Sequence, residues 1–300
     1  MKKSIYLSIY LSIYLSIYPS LCNANCIFPC NNKSQLRQDT YYKESGDFST
    51  KILNFSLDDF IDAFIDINNH KYSSIFENTT FLYLKQLHET YGLKVTCYVF
   101  YEKGPFKLSN CTDRYRSEFI ANSSWLKFGF HQNDGDSFIR LTGKLLPYYN
   151  KTMRQLIRIV GLPSVDQVMR LDRFYGTFED IKLMSQAFPI RIKGLLTSDD
   201  QRRSYYLLDR LNLYIYSHDK MKDEDLNITF YSTDLRIELI SNINEKIKEL
   251  KTDAWNNQRD LMCIFTHERM LANVNIRENL ESMLRYFFHE RYSYSFLDDL

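Results

Sequence analysis

From about residue 50 onward, short apolar runs alternate with segments of helical spacing, and that order limits what the chain can fold into. KILNFSLDD (51–59) reads as a strand ending in two carboxylates, and FENTTFLYLKQLHETYG (76–92) as a helix stopped by Gly92. KVTCYVFYE, the helical DRYRSEFIANS, the short strand WLKFGFH and the helix KTMRQLIRIVG follow. VMRLDRF, FEDIKLMSQAF, IRIKGLLTSDD, ITFYSTDL, IELISNINEKIKELK, LMCIFTHE and IRENLESMLRYFF continue the alternation. Strands separated by helical patterns indicate βα units around a mostly parallel sheet. About seven such units over roughly 250 residues predict an α/β fold of the (β/α)7 barrel type rather than an open sheet. Asp58-Asp59, His131, Asp199-Asp200 and His267-Glu268 all fall at or just after the end of an expected strand. Active sites of parallel barrels are built at that face.

Alone, each of these residues has a plain structural reading. An Asp-Asp pair after a strand is often a helix cap, and Thr266 could open the helix after it. Their recurrence at equivalent strand ends favours function. In STDLRIE (232–238), Asp234, Arg236 and Glu238 alternate as strand neighbours. They are candidates for substrate contact, with an edge-strand salt bridge as the competing reading. TSDDQRR (197–203), with Asp200, either lines the mouth of the barrel or is a polar loop. His70, His88, His218 and His289 stand in loop or helix contexts and read as structural or solvated.

The charge balance removes one class of function. Thirty-eight basic against 37 acidic residues give a net charge of +1, so no electrostatic footprint for nucleic acid or an anionic membrane is present. With 23 Tyr and 21 Phe against 9 Gly and 6 Pro, the composition suits a folded core. Cys22, Cys26 and Cys30 match no zinc or iron–sulfur spacing, whereas Cys97, Cys111 and Cys263 are scattered and expected to be buried thiols. Nothing here requires an oxidising compartment.

Residues 1–45 form a separate, low-complexity leader, expected to be unstructured or signal-like, ahead of a catalytic domain at 46–300. SIYLSIYLSIYLSIY (4–18) follows MKK directly. The basic flank and apolar run resemble a secretory signal, but the run is polar for that purpose, has no clean cleavage site, and is shorter than the ~20 residues of a membrane span. A tandem ATCT tetranucleotide, read ATC TAT CTA TCT, encodes Ile-Tyr-Leu-Ser and then starts again. Gain or loss of one such unit shifts the reading frame. This suggests, as a hypothesis, a slippage switch controlling bacterial expression; mixed codons in the gene would overturn it. On this reading the protein is cytoplasmic, with the cell envelope as the alternative if the leader is also exported.

In order, FSLDDF (55–60), GLKVTCYVFYE (92–102), WLKFGFH (125–131), RLDRFYG (170–176) and LMCIFTHE (261–268) resemble the motifs of the polysaccharide deacetylase (NodB-homology) superfamily. The resemblance spans roughly residues 50–290. It implies Asp58 as general base, His267 as general acid and Arg170 as the arginine beside the base. It implies Asp59 and His131 as ligands of a divalent metal, zinc by preference with manganese or cobalt as alternatives. The chemistry is coherent. A metal polarises an amide carbonyl and lowers the pKa of a bound water, a carboxylate takes the water's proton, and an imidazole protonates the leaving amine. The family carries a second histidine four residues after the first; here that position is Gly135. Asp134, Asp136 or Asp172 would have to replace it, with Asp172 the preferred candidate for the metal, and a carboxylate is an acceptable ligand. The expected activity is removal of acetyl groups from an N-acetylated sugar of a bacterial surface polysaccharide or its precursor. Two alternatives stay open: metal-independent glycoside hydrolysis by Asp58 with Asp200 or Glu268, and glycan binding by a degraded site.

Overall fold

A computed structural model describes residues 51–132, 145–199, 204–252 and 259–300. The leader, with its repeat and three cysteines, lies outside the described residues, as do Asp134, Asp136 and Asp200. In chain order the strands are β1 (Ile52–Phe60), β2 (Val95–Val99), β3 (Glu102–Lys103), β4 (Phe106–Lys107), β5 (Leu126–Phe130), β6 (Val168–Met169), β7 (Gly194–Leu196), β8 (Lys220–Asp223), β9 (Ile228–Tyr231), β10 (Leu235–Arg236), β11 (Leu261–His267) and β12 (Ser293–Tyr294). The helices are α1 (Asp62–His70), α2 (Thr79–Tyr91), α3 (Arg116–Ala121), α4 (Leu145–Val160), α5 (Phe178–Ser185), α6 (Asp209–His218), α7 (Ile243–Leu250) and α8 (Val274–His289).

The class is the expected mixed α/β with parallel strands, arranged as two arcs. One arc runs β10-β11-β1-β2-β5 with β12 beside β1, and the other runs β6-β7-β9-β8. Every pairing in the first arc is parallel, and in the second only the β8–β9 hairpin is antiparallel. The arcs meet through the Phe128–Val165 bridge, and the bond from the Asp234 amide to the Cys263 carbonyl extends the β10–β11 ladder of the first arc. The two-residue strands β6 and β10 are what break the ladder. After β6 the chain turns into a 3₁₀ segment with Arg173 and Phe174 at positive φ, which ends strand pairing.

Local chemistry accounts for the elements that carry the site. In β1, Leu53, Phe55 and Leu57 are fully buried and alternate with Asn54, Ser56 and Asp58, which are also buried. A period of two places these sets on opposite faces. The first set joins the main apolar core. Around Phe60 the core is aromatic: Phe64, Phe81 and Phe128 lie within 5.7, 5.7 and 6.0 Å of it, ring centre to ring centre. Asn78 caps α2 by accepting from the Thr80 and Phe81 amides, and Gly92 ends it in the left-handed conformation. In α4, Leu145, Tyr149, Thr152, Met153, Leu156, Ile159 and Val160 form one buried stripe. The three described cysteines are free and buried, as expected.

The last residues close the end of the arcs away from the strand termini. Leu297 is buried, Tyr231 donates to its carbonyl at 3.2 Å, and Lys127 pairs with Asp298 at 2.8 Å. Beside them Asp166 is buried with Thr96 and the Val168 amide donating to it. Burial, with the neighbouring charge of Asp298, pushes its carboxyl up to about 7 against those donors and Lys127. The native state therefore holds a proton that the unfolded chain releases near pH 4, so stability is lost as pH rises from about 4 through 7. Asp234, raised by burial to about 6, acts in the same direction. We expect the melting temperature to fall from pH 5 to pH 8, and Asp166→Asn to flatten that fall. A melting profile unchanged by the substitution would contradict this.

Candidate functional site

The site begins with a break in the β1–β2 ladder. The register shifts between Leu57 and Phe60, and Asp59 sits there at φ 57°. Aspartate tolerates this left-handed conformation better than most residues. Bulges of this kind occur beside active sites and re-aim side chains. Here the bulge returns Phe60 to the core while both carboxylates remain at the strand end. Neither Asp58 nor Asp59 caps α1, whose N-cap Ile61 makes no side-chain cap bond. The α1 amides are served instead by Glu268, which accepts from Ile61, Asp62 and Ala63 at 2.7 Å each. Burial raises the Glu268 carboxyl to about 7, opposed by those three donors.

Asp58 lies opposite His267 in the β1–β11 register. Its Oδ2 accepts from Arg170 Nη1 at 3.3 Å. Its Oδ1 is buried with no hydrogen-bond partner among the described residues. Arg170 is itself 1% exposed, bonds Thr233 at 3.4 Å, and lies 4.0 Å from the centre of the Phe265 ring. The guanidinium is thus held by a cation–π contact and an ion pair, and it fixes the Asp58 carboxylate in one orientation.

Asp59 is the hub. Its Oδ1 lies 3.3 Å from His131 Nε2, its Oδ2 lies 3.9 Å from His267 Nε2, and Arg269 donates to the same Oδ2. Burial alone would raise this carboxyl. The hydrogen bond and charge of His131, with the charges of His267 and Arg269, bring it down to about 2. His131 is held on two sides. Its Nδ1–H donates to the Arg170 carbonyl at 2.5 Å, and Phe100 stacks on its ring at 5.3 Å. Burial opposes its charged form, but the bond to Asp59 and the charges of Asp58 and Asp59 outweigh that and raise its pKa. On the other flank His267 Nδ1–H donates to Glu238, whose second oxygen accepts from Thr266 at 2.7 Å. Burial pushes Glu238 up, yet the bonds from His267 and Thr266 carry it below the usual carboxylate range. This fixes the His267 tautomer and turns Nε2 toward Asp59.

The remaining sequence candidates separate. Asp172 pairs with Arg173 at 3.6 Å. Arg236 binds Asp199 at 2.8 Å at the edge of a neighbouring cleft. The strand alternation through Asp234 and Arg236 does not continue to Glu238, because β10 gives way to a 3₁₀ turn at Ile237. The Asp234 carboxylate is enclosed and bound to Arg259, Ser232 and the Cys263 amide. Glu268, one carboxylate considered for glycoside hydrolysis, is likewise committed to the amides of α1. Among the outer histidines, His88 stacks on Trp125 at 4.7 Å and binds the Leu93 carbonyl. Sequence reading did not single out Glu238 as His267's partner, nor Arg269 as Asp59's.

Asp59 and His131 match a divalent ion in donor chemistry and in spacing. Two tetrahedral ligands at about 2.0–2.1 Å from one ion stand about 3.3–3.4 Å apart, and these donors are 3.3 Å apart. The Nδ1–H bond to a carbonyl is the usual outer support of a ligating imidazole. Among the described residues no group of three His, Cys, Asp or Glu side chains is arranged to hold a metal ion by itself.

No protein-family model matches the chain, and no curated protein matches it. Several solved structures are similar to it at low identity. T48 deacetylase with substrate is 11% identical, with 83% of this chain and 90% of that one covered and a TM-score of 0.46. A putative polysaccharide deacetylase involved in O-antigen biosynthesis from Bordetella bronchiseptica is 10% identical, with 78% and 89% covered and a TM-score of 0.42. A family 4 acetyl xylan esterase from Clostridium thermocellum, in complex with a cobalt ion, is 12% identical, with 83% and 89% covered and a TM-score of 0.42.

Proposed function

We propose that this protein is a carbohydrate deacetylase-like hydrolase that cleaves the acetyl amide of an N-acetylated sugar with the help of a divalent metal ion. The observation that carries this reading is the convergence at adjoining strand ends. A buried carboxylate with one unengaged oxygen (Asp58), an acid–imidazole pair at ligand spacing (Asp59 and His131), and a carboxylate-oriented imidazole (His267 with Glu238) stand together. When bound, the metal would supply Lewis acidity for the amide carbonyl and acidity for an attacking water, and Asp59 and His131 would hold it. Asp58 Oδ1 accepts the proton of that water while Arg170 keeps the carboxylate in place. Breakdown of the tetrahedral species needs a proton on the sugar nitrogen, and His267 Nε2 donates it with Glu238 balancing the imidazolium.

The substrate is placed, also as a proposal, in a bacterial surface polysaccharide or its precursor. The leader supports this reading. A tetranucleotide switch suits a surface structure whose expression varies, and a cytoplasmic enzyme would act on the precursor. No helix of the described residues is long and apolar enough to cross a membrane, and the net charge of +1 gives no footprint for nucleic acid.

The test uses the full chain, assayed for acetate release from N-acetylated oligosaccharides and for bound zinc, manganese and cobalt. We expect near-stoichiometric metal in the wild type, lost in Asp59→Ala and in His131→Ala together with activity. Glycan binding without turnover, indifferent to both substitutions, would favour a non-catalytic binding protein instead.

A further inference from the structure

The metal reading leaves one residue unaccounted for. Arg269 follows β11 in a 3₁₀ turn spanning Glu268–Ala272, and its guanidinium sits on Asp59 Oδ2. Its backbone is anchored, because the adjacent Glu268 is clamped by three amides of α1. Its side chain is not, being 60% exposed against 16% for Asp59. A guanidinium does not lose its proton in a protein, so it cannot yield a carboxylate by titration; it can only move away. A divalent ion at the Asp59–His131 pair meets this fixed positive charge on the same carboxylate, and like charges at such separations repel by several-fold in binding. Space for an alternative position exists. Arg269 also lines a cleft of about 460 Å³ whose walls include the Asp62 and Asp66 carboxylates, Tyr83 and Arg277.

We propose that Arg269 is a positioning residue that holds Asp59 in its ligand orientation when no metal is bound, and that it sets the affinity for the ion by having to swing into the cleft when one binds. The guanidinium keeps the largely buried Asp59 carboxylate at the bulge ordered, and the ion takes over that task on arrival. The inference rests on the metal reading above, and the two can fail separately.

The experiment measures zinc and manganese affinity of the full chain by competition with a fluorescent chelator. It compares wild type, Arg269→Gln, Arg269→Lys and Arg277→Gln. We expect Arg269→Gln to bind about tenfold tighter than wild type, the scale of one removed ion pair and one removed repulsion. Arg269→Lys, which keeps the charge, should lie between them. Arg277→Gln removes the same charge from the same cleft without touching Asp59, and should stay within about twofold of wild type. Affinity in Arg269→Gln equal to or weaker than wild type, or a gain matched by Arg277→Gln, overturns the proposal and leaves the deacetylase reading intact. Failure of all four proteins to bind either ion overturns both. Melting curves without metal guard against misfolding, and Arg269→Lys carries the comparison if the glutamine variant does not fold.

Discussion

Replacing Asp58 by Asn is expected to lower acetate release about 10³-fold while leaving metal content unchanged. The size follows from what a positioned general base contributes, about 10²–10⁴, and from the lack of a second carboxylate oriented for the task. Asp59 is occupied by His131 and Arg269, and Glu268 by the amides of α1. Asparagine keeps the shape and an oxygen for Arg170, but it cannot accept a proton at neutral pH. The substitution also leaves Arg170 buried beside a neutral group, and breaking a buried ion pair costs about 3–5 kcal/mol. Thr233 and the Phe265 ring still hold the guanidinium, so the lower end of that range is expected. A clear loss of melting temperature should therefore accompany the loss of rate. The rate comparison belongs well below that transition, with metal content as the check that the neighbouring pair is intact. Retention of more than about a tenth of the wild-type rate, less than the smallest effect of a general base, would remove Asp58 from the base role.

The part of this molecule that could be read from its sequence is the part governed by local periodicity. The run ILNFSLDDF alternates apolar and polar residues up to its carboxylates, and β1 covers that run. Gly92 and Gly161 stop α2 and α4 at positive φ, where a side chain would be strained. What stayed hidden depends on backbone events that the pattern does not encode. In STDLRIE the alternation implied one shared face. The chain instead leaves the strand after Arg236, so Asp234 turns inward to Arg259, Arg236 reaches Asp199, and Glu238 reaches His267. A two-residue strand carries too little period to reveal that. The third-motif region hides its geometry for a similar reason. VMRLDRF reads as one strand, yet only Val168–Met169 pairs before positive φ at Arg173 ends it. Glu268 stood beside a catalytic candidate in sequence and shares its strand end, but its carboxylate lies across the ladder on α1. Adjacency in sequence could not separate those two roles; only the direction of the side chain does.

The direction of the His267 side chain yields the second large effect. Substituting His267 by Gln is expected to reduce acetate release about 10²–10³-fold, and Glu238→Gln somewhat less, because the imidazole survives but loses its oriented tautomer and the charge that balances its protonated form. The double variant should be little worse than His267→Gln alone, since residues acting as a unit are strongly non-additive. Leaving-group dependence supplies a readout that a structural role would not move. With an acetyl ester of an acidic phenol, whose departure needs no proton, both variants should recover most of the wild-type rate, whereas Asp58→Asn should not. A His267→Gln defect equally large on that ester would mean that the imidazole acts before the leaving group departs. The assignment of general acid would then have to pass to another group at the mouth of the site.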